Sequence, residues 1–146
     1  MFKEREIDFE VLREPWNKYE LEDGSYIKSK YVLTKIRISE PDESGRVKIS
    51  IDGRTITVTY NVPDSLKGEP SVKRYAPEEL QSAIEKEVGY KIVSEEWNEY
   101  IAENGMKIRI KDNVTRIHRT KLKDRNGDPI YFVEHSTLVQ GTSPRR

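Results

Sequence analysis

Apolar and polar residues alternate along much of this chain, in short stretches that turn-forming residues separate. A period of two is that of a half-buried β-strand, which turns one side chain inward and the next outward. In the longest stretch the parity of the apolar residues changes midway, which predicts a bend or bulge of the kind found at a barrel corner. The first part of the chain therefore predicts five antiparallel strands in a small meander or partly closed barrel. These stretches are residues 7–13, 17–22, 25–38, 47–51 and 55–60.

One motif of the chain occurs twice, 81 positions apart. The segment Glu14–Gly24 returns as Glu95–Gly105, and both tryptophans of the protein stand at the same place in it. A missed repeat leads to a wrong fold, so this similarity outweighs local signals. It predicts a tandem duplication whose copies pack on each other, because units of roughly 60 to 70 residues bury little surface alone. The shared motif residues are Trp16, Asn17, Tyr19 and Gly24 in the first copy and Trp97, Asn98, Tyr100 and Gly105 in the second.

Turn signals divide the predicted strands. Asp23-Gly24 and Asn104-Gly105 predict two-residue hairpin turns of type I′, in which both turn positions have positive φ. Asp52-Gly53 predicts a further hairpin between residues 47–51 and 55–60. The strands of the second copy are predicted at residues 90–94, 98–103, 106–119 and 129–139.

A linker and one helix are predicted between the copies. Residues 61–76 contain prolines, a glycine and polar residues, as linkers do. Pro77 is placed as at the first turn of a helix, and Gly89 as at its end. Between them the apolar stripe of the helix consists of Leu80, Ala83, Ile84 and Val88.

These signals together predict a mainly β protein of two tandem small antiparallel barrel or meander units. The units are residues 1–62 and residues 90–146, joined by a linker and one α-helix at residues 63–89. We expect the two units to pack as one compact body with a pseudo-two-fold axis.

Composition limits the environment of the protein. The apolar fraction is only 34% and the charged fraction 36%, but net charge is zero and the apolar residues are regularly placed, which indicates a folded domain with a thin core. Cysteine is absent, which excludes disulfides and thiolate metal sites. Without an apolar run long enough to cross a bilayer, or a signal-peptide core, we expect a soluble cytoplasmic protein that binds no membrane. The abundance of Lys, Glu and Arg is typical of heat-adapted proteins.

Motifs for catalysis or cofactor binding are missing from the sequence. It has no phosphate-binding glycine-rich loop, no Gly-x-Ser-x-Gly and no His-Glu-x-x-His. Its two histidines, His118 and His135, have no ligand spacing. Asp124, Asn126 and Asp128 resemble the start of a calcium loop, but the glycine is misplaced and a turn explains them better. No catalytic residue, metal or cofactor is therefore predicted.

The Trp-Asn-x-Tyr motif allows two interpretations. Trp16, Tyr19, Trp97 and Tyr100 could form two equivalent aromatic surfaces that stack a base or grip a peptide. They could instead anchor the core, with the asparagines bonding the backbone where one strand gives way to the next. Recurrence of the motif together with its turn favours structural anchors.

Charge is unevenly distributed, with an acidic excess in residues 61–103 and a basic excess in residues 104–146. The basic strand could be a solvated face whose cations pair across strands with acidic neighbours, could track a phosphate backbone, or could meet the acidic part of a second molecule. The preferred hypothesis is a non-catalytic binding or structural module, an accessory subunit of a cytoplasmic assembly that binds a protein partner or itself. A nucleic-acid-binding protein is the alternative and an enzyme the third choice. The cations of the alternative are Lys107, Arg109, Lys111, Arg116, Arg119, Lys121 and Lys123.

Overall fold

Ten strands and one short helix make up the computed structural model, which describes residues 3–142. The protein is mainly β, with 61% of its residues in strands. In chain order the elements are β1 (Glu4–Ile7), β2 (Phe9–Arg13), β3 (Asn17–Leu21), β4 (Tyr26–Ser39), β5 (Ile49–Tyr60), a 3-10 turn (Asp64–Leu66), α1 (Pro77–Ser82), β6 (Ile84–Glu87), β7 (Tyr90–Ser94), β8 (Asn98–Ala102), β9 (Lys107–Lys123) and β10 (Pro129–Thr142).

The strands form two antiparallel sheets, each built on one long strand. In the first sheet β4 pairs with β5 along one edge and with β3 and β1 in tandem along the other, and β7 extends the sheet beyond β3. In the second sheet β9 pairs with β10 along one edge and with β8 and β6 along the other, and β2 extends the sheet beyond β8. Each sheet therefore includes one strand from the other half of the chain.

A closed barrel is not found among residues 3–142, where the strands form two antiparallel sheets. The connection between β2 and β3 explains the difference. It contains Pro15, which has no amide proton to donate to a ladder, and it carries the chain from one sheet to the other instead of turning back into a hairpin. The edge that a hairpin would have closed is paired with a strand from the other half.

Equivalent strand pairs of the two halves have the same register. Tyr19 lies opposite Ile27, and 81 residues later Tyr100 lies opposite Ile108. The exchanged strands agree as well, because the β2–β8 and β7–β3 pairs are related by the same offset. The pairing of the last strand of each half differs by one residue, and the β6–β9 pair has a register shift that the equivalent β1–β4 pair lacks.

Two apolar clusters lie between the sheets, and both draw side chains from both sheets. The first sits where β1 and the end of β4 meet β8 and the start of β9, around Ile36 and Ile108. The second sits where β3 and the start of β4 meet the end of β9 and β10, around Ile27 and Ile117. All four isoleucines are fully buried. Alternation along the strands produces these clusters, as β3 shows by burying every second residue.

The predicted hairpin at Asp52-Gly53 is wrong, because residues 49–60 form the single strand β5. A register shift in the β4–β5 ladder lies opposite this dipeptide, because Thr34 of β4 stands between the residues that face Gly53 and Asp52. The bulge that the change of parity predicted in the longest stretch is therefore found in β4. Asp52 accepts hydrogen bonds from Arg37 of β4, which hold the two strands together beside the bulge.

The predicted helix is shorter than expected and ends at Ser82. Residues Ile84–Glu87 form strand β6 instead, since β9 has an edge beyond β8 that they can pair with. Val88, expected on the helix stripe, is buried in the second cluster. Tertiary pairing has thus overridden a local helix signal.

The turn after β3 also differs from type I′. The amide of Gly24 donates to the carbonyl of Leu21 and the amide of Leu21 donates to that of Ser25. Gly24 has φ of 94°, but Asp23 does not have positive φ. This is the pattern of a type I turn followed by a left-handed glycine. Gly105 repeats it after β8 with φ of 84°.

Candidate functional surfaces

The repeated motif divides between the interior and the surface. Asn17 and Asn98 are buried, and each side-chain amide donates to a backbone carbonyl of the long strand in the other sheet. The acceptors are Asp112, at 3.2 Å from Asn17, and Tyr31, at 2.8 Å from Asn98. These bonds join the two sheets at the places where the chain passes between them.

The motif tyrosines are buried beside carboxylates from the other half. The hydroxyl of Tyr19 donates to Glu95 and that of Tyr100 donates to Glu14, each over 2.7 Å. Burial raises the pKa of both tyrosines, and the hydrogen-bonded carboxylates raise it further. Both hydroxyls therefore stay protonated and act as donors.

The motif tryptophans lie on the outer faces of the sheets, half-buried. Lys28 lies over the ring of Trp16, with its Nζ 4.8 Å from the ring centroid, and Lys30 lies at 5.8 Å. Arg109 covers Trp97 in the same way, at 4.6 Å. Each sheet thus has a tryptophan and cations on its solvent side.

Cations and aromatic rings lie together on the outer side of the first sheet, and we call this surface the cationic face. Lys18 pairs with Lys28 across β3 and β4, and the rings of Tyr26 and Tyr60 lie beside them with centroids 5.5 Å apart. Arg54 of β5 lies on the same side as Lys30, two positions along the strand. The cationic face consists of Trp16, Lys18, Tyr26, Lys28, Lys30, Arg54 and Tyr60.

On the second sheet the corresponding cations have acidic neighbours. Arg109 lies 3.8 Å from Glu99, which occupies the position of Lys18. Lys111 lies 3.9 Å from Glu95. Lys107, Arg109 and Lys111 share the outer side of β9, so this part of the predicted cationic row exists but is partly neutralised.

The remaining predicted cations do not continue that row. Arg116 lies 3.9 Å from Glu87. Arg119 is half-buried and pairs with Glu85 at 2.9 Å and with Asp23, in the turn of the other sheet, at 3.2 Å. Lys121 is exposed, and Lys123 is half-buried with its chain against Gly68.

Two long strands have a free edge in the described part of the chain, since β5 pairs only with β4 and β10 only with β9. From Glu134 to Thr142 every residue of β10 is exposed. Leu138 and Val139, 49% and 42% exposed, point to opposite sides of the strand. No Asp, Glu, Lys or Arg occurs between residues 135 and 142. Neither the repeat nor the charge pattern of the sequence had indicated this edge, although the uncharged run was visible.

A polar cluster lies between the sheets where the halves differ. Asp112 takes the position that Tyr31 has in the first half and is buried. It accepts hydrogen bonds from His135 at 2.7 Å, Thr55 at 2.8 Å and Thr137 at 3.1 Å. Burial alone would raise the pKa of Asp112, but these bonds outweigh it and lower the pKa, and the bond to Asp112 raises the pKa of His135. Within residues 3–142 no three His, Asp or Glu side chains are grouped so as to hold a metal ion.

No helix in the described part of the chain is long and apolar enough to cross a membrane. In comparisons with protein-family models, curated proteins and solved structures, no match to this chain was found.

Proposed function

We propose that this protein is a non-catalytic structural module that associates with further copies of itself through the free edge of β10, as a subunit of a larger cytoplasmic assembly. The observation that carries the proposal is the segment Glu134–Thr142. It lies at a sheet edge, each of its residues is exposed, and it contains no Asp, Glu, Lys or Arg after Glu134.

Sheet edges of soluble proteins are normally protected against such association. Lysine, proline, bulges or a covering loop prevent the unpaired amides and carbonyls from binding another strand. The β5 edge has protection of this kind, because it carries the charged residues Asp52 and Arg54. After its register shift near Glu134, β10 has none. This contrast favours β10 as the contact.

The pairing geometry follows from the pleat of the strand. In a dimer whose two-fold axis is perpendicular to the sheet, the outer side of one copy continues into the outer side of the other. An outward-facing residue must therefore lie opposite another outward-facing residue, so paired positions are both even or both odd. Full overlap of the segment Glu134–Thr142 with itself places Leu138 opposite Leu138 of the second copy. Glu134 then faces Thr142, and no like charges oppose each other.

The proposal is tested by measuring molar mass with light scattering over a concentration series. We expect the wild type to dimerise and Leu138→Lys to remain monomeric, since two lysines would face each other at the axis. Val58→Lys is the matched control, because Val58 is an exposed apolar residue on the other free edge; its mass should equal that of the wild type. A wild type that is monomeric throughout, or a Leu138→Lys variant of unchanged mass, would refute the β10 contact.

A cross-link gives an independent reading of the register. The chain has no cysteine, so Leu138→Cys introduces a single thiol. Opposite residues of an antiparallel pair have Cα atoms about 4.5 to 5.5 Å apart, within the range that a disulfide spans. We expect oxidation to give a covalent dimer, and Ile56→Cys on β5 to give none. Equal cross-linking of both variants would mean random collision.

We also infer that the chain arose by internal duplication. The equal registers of the two halves and the exchange of β2 and β7 support this inference. In a single ancestral unit, β2 would have paired with the β3 of a second copy. Residues 1–76 expressed alone should therefore form a dimer held by β2–β3 pairing. A folded monomer, or a chain that stays unfolded at high concentration, would argue against it.

A further inference from the structure

The cationic face of the first sheet concentrates positive charge in a protein without net charge. Within residues 3–142 none of its four cations, Lys18, Lys28, Lys30 and Arg54, makes an ion pair. Two acidic side chains lie on the same side of these strands: Glu20, which pairs across β3 and β4 with Tyr26, and Asp52 of β5, which is already paired with Arg37. Unpaired cations that are held close together raise the local positive potential and attract a polyanion.

The second sheet shows what a neutralised version of this surface looks like. Its tryptophan and covering cations have the same arrangement, yet Glu99 stands where the first sheet has Lys18, and it lies 3.8 Å from Arg109. Lys111 likewise has Glu95 at 3.9 Å. The backbone pairing is equivalent, so the difference in charge comes from the side chains alone.

We infer that the cationic face binds single-stranded nucleic acid, with phosphates on its lysine and arginine side chains and bases stacked on its aromatic rings. Three aromatic rings lie among the four cations. Lys28 already lies over Trp16, and the Tyr26–Tyr60 pair is inclined by only 31°. Alternation of cations with rings on an open sheet is the arrangement by which proteins bind single strands without regard to sequence.

The aromatic residues favour a single strand over a duplex. In a duplex the bases stack on each other and leave no face for a protein ring, whereas an unpaired base can stack on Trp16 or Tyr60. The cationic face also lies on strands of a five-stranded sheet, not on a helix or a separate two-stranded ribbon that could enter the major groove. Phosphate contacts alone would not distinguish the two ligands, so the rings decide between them.

The inference is tested with a fluorescently labelled oligothymidylate and the full-length protein. Fluorescence anisotropy should show binding at low salt that weakens as salt rises, with a slope of log K against log salt of about −2 to −3 for three to four phosphate contacts. Lys28→Glu should weaken binding and reduce the slope by at least about 0.7. Lys18→Glu, which installs the residue found on the second sheet, should act in the same direction. The matched control is Lys107→Glu, an exposed cation of the second sheet, which should leave the affinity unchanged.

Tryptophan fluorescence identifies the face that is used. In Trp97→Phe the remaining tryptophan is Trp16, and we expect the oligonucleotide to quench it. In Trp16→Phe the signal of Trp97 should not change. Circular dichroism checks that each variant is folded.

Several outcomes would overturn the inference. Absence of binding at low salt would do so, as would a Lys107→Glu variant weakened as much as Lys28→Glu. Equal affinity for a duplex of the same length, or for vesicles of anionic lipid, would show an interaction with charge alone. Because the cationic face belongs to the first sheet and β10 to the second, this inference and the proposed assembly can fail separately.

Discussion

The bond between Tyr19 and Glu95 should be one of the strongest single links between the two halves of the chain. The tyrosine is fully buried and the glutamate side chain is only 11% exposed, and their oxygens lie 2.7 Å apart. A hydrogen bond to a charged group contributes about 1.5 to 3 kcal/mol. We therefore expect Tyr19→Phe to lower the free energy of unfolding by about 2 kcal/mol, or Tm by about 4 to 8 °C for a chain of this length.

A double-mutant cycle separates the bond from other effects of the substitutions. Glu95→Gln keeps an oxygen acceptor for Tyr19, so it should cost less, about 1 kcal/mol. The two changes together should cost less than the sum of the single changes, with a coupling of about 1 kcal/mol. Urea unfolding followed by fluorescence gives all four free energies, provided that m is the same for each variant. A coupling below about 0.5 kcal/mol, the usual limit of additivity for independent sites, would refute the reasoning.

The equivalent bond in the other half serves as an internal comparison. Tyr100 donates to Glu14 over the same distance, but its oxygen also accepts a hydrogen bond from Asn98 at 2.9 Å. Glu14 in turn accepts from the amide of Leu33 at 3.1 Å. Tyr100→Phe would leave the buried Asn98 amide with one acceptor fewer, so it should cost about 1 kcal/mol more than Tyr19→Phe. If Tyr19→Phe lowered the free energy of unfolding more than Tyr100→Phe, the additional hydrogen bonds around Tyr100 would not be the cause of its contribution.

Two further predictions concern the polar cluster and a constrained turn. The pKa of His135 is raised by its bond to Asp112, so its stabilisation is complete below about pH 6.5 and is lost as pH rises through the folded-state pKa. The difference in Tm between wild type and His135→Gln should accordingly shrink from about pH 6 to about pH 9, and a constant difference would contradict the assignment. Gly127→Ala should lower the free energy of unfolding by about 1 to 3 kcal/mol from the positive φ alone. The loss should be larger still, because the added Cβ would lie 2.5 Å from the carbonyl oxygen of Gly68. Gly45→Ala, at similar φ with open space around its Cβ, is the control in thermal unfolding and should be the milder change.

Alternation in the sequence predicted most of the strands, because the inward face of a strand is a local property. The second half shows this well, with β7 predicted to the residue and β8 within one residue of its end. The same alternation also indicated on which side of the sheet the tryptophans lie. Trp16 has the parity of Lys18, and both therefore point away from the buried Asn17 and Tyr19.

Partners of strands could not be predicted in the same way. Nothing in residues 9–13 indicates that they pair with β8, about 90 positions later, instead of with the neighbouring β3. Turn signals were equally ambiguous, since the Asp52-Gly53 dipeptide continues a strand opposite the bulge of β4 instead of forming a hairpin. Charge pairing was closer to prediction, because the turn at Gly105 sets Glu99 opposite Arg109.

The two halves share a backbone arrangement but have different surfaces, and this difference bears on function. Some equivalent core positions hold the same residue, as Ile27 and Ile108 do, whereas others differ, as the buried Ser29 and Ile110 do. On the outer faces Lys18 is replaced by Glu99, which changes an unpaired cation into a partner for Arg109. Packing constrains the core because a buried charge is costly, whereas an outer position tolerates either sign at small cost. We therefore propose that the two sheets serve different partners, the first a polyanion on its cationic face and the second another copy at its uncharged edge.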